Sequence, residues 1–181
     1  LTALTFDTGT TSAYQARIAA SSQGAVRLPM LQTITLGTNH RLNLSLSGAG
    51  TMGLNVLPTA TGLSIDIGAG TTLMLPAATT LTSGLALVDG TLNLPNATSL
   101  TGFTLTLRSA GVFAAPSLAQ MNACGLSLED TASATLGALT TLQTTPVTVR
   151  ENAALSLPQL TDWTSNNTST GSPSRWPPFM M

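Results

Sequence analysis

A phrase that occurs twice within residues 75–100, LPAATTLTSGLALVDGTLNLPNATSL, constrains this chain more than any other feature. Leu-Pro-x-Ala-Thr-x-Leu is followed by small polar residues, an alternating apolar piece and a Gly-containing turn, and then the phrase returns. Variants occur as LPMLQTI (28–34), LPTATGL (57–63), APSLAQM (115–121), LGALTTL (136–142) and LPQLTDW (157–163). Successive Pro-equivalent positions fall at 29, 58, 76, 95, 116, 137 and 158, so after the first gap the steps are 18, 19, 21, 21 and 21. A fixed period near 20 residues means that each repeat buries its apolar face only against its neighbours, the signature of a stacked-repeat architecture.

Two strand-like pieces recur in each repeat. One ends in the Leu-Pro phrase: VRLP, NVLP, LMLP, LNLP, FAAP, ATLG and LSLP. The other alternates, as Leu44/Leu46, Ile65/Ile67, Leu85/Leu87, Leu105/Leu107, Leu126/Leu128 and Val147/Val149. Period-2 alternation buries one face of a strand, and both pieces are too short and too rich in Gly, Pro, Ser and Thr nearby to be helices. The expected fold is all-β: a right-handed parallel β-helix (β-solenoid) of six to seven coils of about 21 residues. Coils stacked at the strand spacing give a rod roughly 30 Å long. Its core is a set of aliphatic columns, with Leu94 and Leu107 in two of them. Proline ends its strand where no ladder bond is lost, and the glycines at 68, 70, 84, 90, 102 and 111 fall in connectors, where positive φ costs little. The Thr of the phrase forms a column of its own (Thr61, Thr79, Thr98, Thr140, Thr161, with Gln32 and Ala119 as exceptions), expected to satisfy turn backbone groups.

The repeats occupy residues 25–163. Residues 1–24 read as an irregular N-terminal cap or worn first coil, with YQARIAA (14–20) as its alternating strand. Ile34 to Leu44, including Asn39 and His40, carries extra residues and is expected to bulge as a loop. Residues 164–181 are polar and then Pro-rich, a tail or linker, with formal glycosylation acceptors at Asn166 and Asn167. The opening LTALTFDTGTTS lacks the basic and continuous apolar regions of a signal peptide, and the chain does not begin with Met. It is expected to be an internal piece of a longer exported protein.

Composition narrows function more than it names it. Of 181 residues 43% are hydrophobic and 7% charged, the net charge is −1, and lysine is absent. That balance offers no electrostatic footprint for nucleic acid. No apolar run approaches the roughly 18 residues of a membrane span, so no membrane insertion is expected. The single Cys124 excludes an internal disulfide or a multi-cysteine metal site and reads as a buried structural thiol.

The phrases LPAATTLTSGLALVDGTLNLPNATSLTGFTLTL resemble the Leu- and Thr-rich repeats of long exported bacterial surface proteins, parallel β-solenoids of adhesin or autotransporter-passenger type. The resemblance covers about residues 25–163. It implies an extracellular or cell-surface location and a structural or adhesive role, and the pattern has no catalytic motif to carry over. Leucine-rich repeats are the near neighbour, since Leu100-x-x-Phe103-x-Leu105 matches their core. The Asn column that should follow is replaced by Ser109, Asp130 and Glu151.

The titratable residues are few: Asp7, Asp66, Asp89, Glu129, Asp130, Glu151, Asp162 and His40. No nucleophile elbow, zinc-protease or phosphate-loop motif is present. Steps of 21 place Arg108, Glu129 and Arg150 in one column beside Asp130 and Glu151, a surface charge ladder in which Glu129 lies between two guanidinium groups. An ice-binding face requires a regular outward Thr array. The positions before the Pro (Arg27, Val56, Met74, Asn93, Ala114, Thr135, Ser156) mix sizes, and those within the alternating piece (Ser45, Asp66, Ala86, Thr106, Ser127, Thr148) are only partly hydroxylic. The expected function is therefore a non-catalytic structural or adhesive segment of an exported bacterial surface protein. The alternatives are a carbohydrate-binding or carbohydrate-acting solenoid and an ice-binding β-solenoid. No cofactor is expected, and surface glycans or other cell-surface components are the expected partners.

Overall fold

The Leu-Pro phrase closes a β-turn at all of its corners but Leu57-Pro58. The computed structural model describes residues 3–6, 15–36 and 40–164. In it the N–H of Ala78 donates to the carbonyl of Leu75 (3.2 Å), and the same bond joins Leu31 to Leu28, Ala97 to Leu94, Leu118 to Ala115, Leu139 to Leu136 and Leu160 to Leu157. Proline sits second in five of these turns, at 29, 76, 95, 116 and 158, where its fixed φ suits the first central position and no N–H is required.

Between one such corner and the next the chain makes three strands, not the two read from the sequence. In the coil that begins at the first full phrase they are Thr80–Thr82, Leu85–Val88 and Thr91–Asn93. Equivalent strands stack parallel into three sheets. The first sheet holds seven strands, from Ala25–Arg27 to Ala154–Ser156. The second holds six, from Thr59–Thr61 to Asp162–Thr164. The third holds seven, from Gln15–Ala20 to Val147–Val149. The result is a three-sided parallel β-solenoid of about six turns, with no helix among the described residues and coils about 21 residues apart. One strand per repeat was overlooked because it lies inside the phrase itself, as three residues around its last Leu.

The N-terminal region joins the stack earlier than the repeats suggest. Gln15–Ala20 pairs in register with Arg41–Leu46, and Ala25–Arg27 pairs with Thr51–Gly53. Ala3–Phe6 pairs with Thr33–Leu36, which packs beside Thr59–Thr61. The expected bulge over Ile34 to Leu44 is thus largely strand, with Leu42 and Leu44 fully buried. The extra residues 37–39 and the tail 165–181, with its glycosylation acceptors, lie outside the described residues.

Two register readings are corrected by the ladders. Gly53 pairs with Met74, and Leu75 and Ala78 follow as Leu54 and Leu57 do. Asn55, not Pro58, is therefore the turn residue of that coil, and the Asn55-to-Pro76 step is 21. Pro58 stands beside Thr79, whose N–H donates to its carbonyl, so Thr61 leaves the phrase column and pairs with Thr82 instead. In the third sheet Ala86 and Val88 align with Ile65 and Ile67 and face inward, while Leu85 (36% exposed) and Leu87 face out. Apolar residues on both faces of that strand disguised its phase.

The interior is one continuous set of columns. Leu54, Leu75, Leu94, Ala115 and Leu136 stack at one corner, and Ile67, Val88, Leu107 and Leu128 stack on the third sheet, all fully buried. Side-chain volumes compensate along a column. Between the second and third sheets the successive residues are Leu63, Gly84, Phe103, Cys124 and Thr145. The Phe103 ring, 1% exposed, lies over Gly84, where an added Cβ would meet its Cε2 at 2.5 Å. Gly84 is thus required for space rather than for φ, as is Gly111 against the Val88 carbonyl. Among the connector glycines named above, Gly70 and Gly102 take positive φ, at 72° and 60°.

Candidate functional site

What each face can do follows from which side chains the coil-to-coil bonds leave free. The corner threonines are consumed: Thr79 Oγ1 donates to the Pro58 carbonyl (3.1 Å), Thr98 to Thr79 (3.3 Å), Thr140 to Ala119 (3.2 Å) and Thr161 to Thr140 (3.2 Å). Neighbouring corner side chains do the same, with Asn96 reaching the Pro76 carbonyl (2.7 Å), Ser117 that of Pro95 (2.8 Å) and Thr131 that of Ser109 (2.8 Å). A polar corner donor thus caps a carbonyl of the preceding coil that the ladder leaves half-used. Inside, Cys124 Sγ lies 3.4 Å from the Leu100 carbonyl and 3.3 Å from that of Asn122, and Thr145 Oγ1 donates to Gln143 (2.9 Å). Burial pushes the Cys124 thiol up, against nearby backbone hydrogen bonds that lower it. This is a structural thiol environment, not an activated one.

The second sheet is different. Its inward residues are Ala60, Leu81, Leu100, Met121, Leu142 and Trp163. Its outward residues form two columns: Thr59, Thr80, Ser99, Gln120, Thr141, Asp162, and Thr61, Thr82, Thr101, Asn122, Gln143, Thr164. All twelve are polar, and all are partly or fully exposed. This face was missed from the sequence. Its signal was there, an apolar residue flanked by hydroxyls as Thr59-Ala-Thr61, Thr80-Leu-Thr82 and Ser99-Leu-Thr101. Three residues of alternation are too few to stand out when the phrase is read as a corner. Thr61 and Thr82 also bond each other, Oγ1 to Oγ1 at 2.9 Å, which draws two hydroxyls closer than the strand spacing.

Six charged residues, Asp89, Arg108, Glu129, Asp130, Arg150 and Glu151, gather at the corner between the third and first sheets. Leu107 pairs with Leu128, and the N–H groups of Glu129 and Arg150 donate to the carbonyls of Leu107 and Leu128. Arg108, Glu129 and Arg150 therefore succeed one another along one corner. The ion pair that closes among the described residues is not to Glu129, however. Arg108 turns to Asp89 of the preceding coil, with Nε–Oδ1 at 3.2 Å and Nη2–Oδ2 at 3.1 Å. Asp89 stands 19 residues before Arg108 because its corner, Asp89-Gly90, is two residues shorter than its neighbours, and the 21-residue step hid it. The short corner leaves a cleft of about 360 Å³ lined by Gly70, Thr71, Asp89, Gly90 and Ser109 among others. Glu129 accepts a long hydrogen bond from Ser127 Oγ instead (3.4 Å).

Asp130 and Glu151 sit one residue further along, both at left-handed φ of 58°. The Ser109 N–H donates to Asp130 Oδ2 at 2.8 Å. That bond, then the Glu151 carboxyl and the more distant Arg108 charge, hold the Asp130 carboxyl below its ordinary value. Asp130 in turn, by sharing a hydrogen bond and by its charge, pushes Glu151 up. The two exposed carboxyls, on adjacent coils, are thus shifted in opposite directions by each other. Among the described residues no three His, Cys, Asp or Glu side chains are grouped to hold a metal ion. No known protein family, curated protein or solved structure matches the chain.

Proposed function

We propose that the chain is a non-catalytic structural and adhesive rod, a segment of an exported bacterial surface protein whose second sheet makes weak, repeated contacts with surface glycans. The supporting observation is that sheet's outer face: two columns of hydroxyl, amide and carboxylate groups at strand spacing along the rod. Donors and acceptors repeated coil after coil, nearly all of them neutral, match polyhydroxylated polymers, each contact worth little and many together giving avidity. The rest of the polar inventory supports a structural role, because corner hydroxyls and amides are bound to carbonyls of the coil before. Placement at the cell surface rests on the resemblance of the repeat phrases.

The test is binding to immobilised bacterial envelope polysaccharides by the chain as a monomer and displayed in many copies on beads. Weak monomer binding that strengthens sharply on the beads, and that Thr80→Val with Thr101→Val weakens without changing the melting temperature, is the expected result. Equal retention of wild type and double variant would remove the second sheet from the reading, and release of sugar fragments would replace adhesion with catalysis.

Ice binding is the second reading, favoured by one observation, the paired hydroxyls of three successive coils at Thr59/Thr61, Thr80/Thr82 and Ser99/Thr101. Against it, the Thr61–Thr82 bond breaks the even hydroxyl spacing that a lattice match requires. No thermal hysteresis is expected, and faceted ice growth in its presence would favour the ice reading over the adhesive one.

A further inference from the structure

The corner between the second and third sheets carries a hollow on the side of the rod. Arg41, Gly62, Ser83, Gly102 and Ala123 hold equivalent places there on successive coils. From Gly62 onward these residues take left-handed φ, between 50° and 73°. Two of them are glycines, so the corner loses its side chains on either side of Ser83. The hollow has a volume of about 330 Å³ and is lined by Arg41, Ser83, Gly84, Leu85, Gly102 and Thr104. Arg41 and Ser83 stand two coils apart. They share one hollow because the buried Gly62 between them has no side chain to divide it.

The lining decides what fits. Arg41 is exposed and makes no ion pair among the described residues, where the pair that closes joins Arg108 to Asp89. Asp66 is the one acidic residue on the strands of the third sheet, and it faces out in the other column, beside Leu87. The hollow therefore holds a guanidinium and no carboxylate of its own. Around it stand the hydroxyls of Ser83 and Thr104 and the side chain of Leu85, which is 36% exposed. A guanidinium fork fits one carboxylate through two parallel N–H donors. A doubly charged phosphate would keep an unmatched charge, because no second cation lines the hollow. A few polar groups beside an apolar wall, in a volume at the lower end for small-ligand sites, suit a single sugar ring.

We propose that this hollow is a subsite for a carboxylate-bearing sugar, one uronic acid unit of an acidic glycan. Arg41 grips the carboxylate, Ser83 and Thr104 take ring hydroxyls, and Leu85 packs against the C–H face of the ring. Thr82 and Thr101, which precede Ser83 and Gly102, belong to an outward column of the second sheet. The hollow thus opens beside the glycan-facing columns. A polymer laid along that sheet places one acidic unit in it, which gives the repeated neutral contacts a fixed register and a charge preference. The subsite rests on the glycan reading for its biological ligand, but its own binding is measured with a short sugar that needs no avidity.

The experiment is an NMR titration of the full 181-residue chain with a tetrasaccharide of glucuronic acid, reading backbone amides and Arg Nε–H groups. A glucose tetrasaccharide and inorganic phosphate are the comparison ligands. Expected are shifts at Arg41 Nε–H, Ser83, Gly102 and Thr104 with the acidic sugar, weakening as salt is raised, and little response to the other two. Arg41→Gln should weaken binding about tenfold. Arg41→Lys should recover only part of that, because an ammonium lacks the fork, and Arg150→Gln at the charged corner should change nothing. Arg41 is exposed, so its variants should keep the wild-type melting temperature. Equal binding of the neutral sugar, or full binding by Arg41→Gln, would overturn the subsite. Phosphate held more tightly than the acidic sugar would overturn it in favour of a free-anion site. The two readings fail separately. If the subsite is lost while Thr80→Val with Thr101→Val still weakens bead binding, adhesion by the second sheet stands. If Arg41 still selects the acidic sugar while that double variant binds beads as the wild type does, the second sheet alone is removed.

Discussion

Gly84→Ala is the smallest change that tests how this core is packed. A Cβ built there lies 2.5 Å from Phe103 Cε2, 2.8 Å from its Cδ2 and 2.7 Å from the Leu63 carbonyl oxygen. Carbon atoms rest at about 3.5–4.0 Å, so the methyl overlaps the ring by roughly 1 Å. The ring has nowhere to go, since Phe103 is 1% exposed and sits in a column bounded by Leu63 before and Cys124 after. The carbonyl belongs to a strand held in register by its neighbours. Overpacking of this kind costs about 1–3 kcal/mol, and backbone involvement places Gly84 at the upper end. Restricting the unfolded chain returns only about 0.4–1 kcal/mol. The net loss is about 2 kcal/mol, which for a chain of this size lowers the melting temperature by about 4–8 °C. Thermal unfolding followed by circular dichroism reads it directly, and Gly137→Ala is the control, because nothing lies within 4 Å of its added Cβ and its φ is not positive. Gly84→Ala with Phe103→Leu should recover part of the loss, not all, since the Leu63 carbonyl remains. A Gly84→Ala protein as stable as the Gly137→Ala control would refute the placement of Phe103 over Gly84.

Other outcomes follow from the same coordinates. Leu94→Asp, a charge placed at a fully buried position between Leu75 and Ala115, should cost several kcal/mol, and near-normal denaturant unfolding would contradict the stacked columns. Gly137→Pro should stabilise by about 0.4–1 kcal/mol, because Gly137 holds the turn position that Pro76, Pro95, Pro116 and Pro158 hold in other coils; a lower melting temperature would show that its backbone differs from theirs. Glu151 is raised by Asp130, so its ionisation opposes folding, and stability should fall as pH rises from its ordinary value through its raised folded pKa. Asp130 is lowered by the Ser109 N–H, so its contribution is present above the ordinary range and disappears as acid protonates it. Melting temperature against pH should therefore show Glu151→Gln matching the wild type in acid and exceeding it near neutrality, and Asp130→Asn falling below the wild type only once the carboxylate is ionised. Parallel wild-type and variant curves would refute the opposite shifts of the two carboxyls.

The period near 21, the parallel stacking and the burial of Leu94 and Leu107 were all legible without coordinates. They depend on local alternation and on spacing, which are properties of a one-dimensional string. The turn function of the Leu-Pro phrase was half legible. Proline marked a corner, but the hydrogen bond from the fourth residue back to the first appears only when the chain is folded around it. What the string could not decide was phase. Residues Leu85 to Val88 are apolar on both faces, and the choice of Ala86 and Val88 as the inward pair is made by the ladders to Ile65 and Leu105 in the coils on either side. Pro58 imitates the phrase, but the pairing of Gly53 with Met74 assigns the corner to Asn55. The charge column kept its register, with Arg108, Glu129 and Arg150 successive along one corner, but the ion pair that closes there has another partner. Equal 21-residue steps pointed Arg108 at Glu129, yet the two-residue-shorter corner at Asp89-Gly90 brings Asp89 within bidentate reach. The outward columns of the second sheet depend on a three-residue strand whose extended state comes from its neighbours above and below rather than from its own residues. Spacing along the chain thus decided that coils stack. Their register, and with it which side chains face the world, is decided by hydrogen bonds between residues about twenty positions apart, and these exist only in the assembled stack.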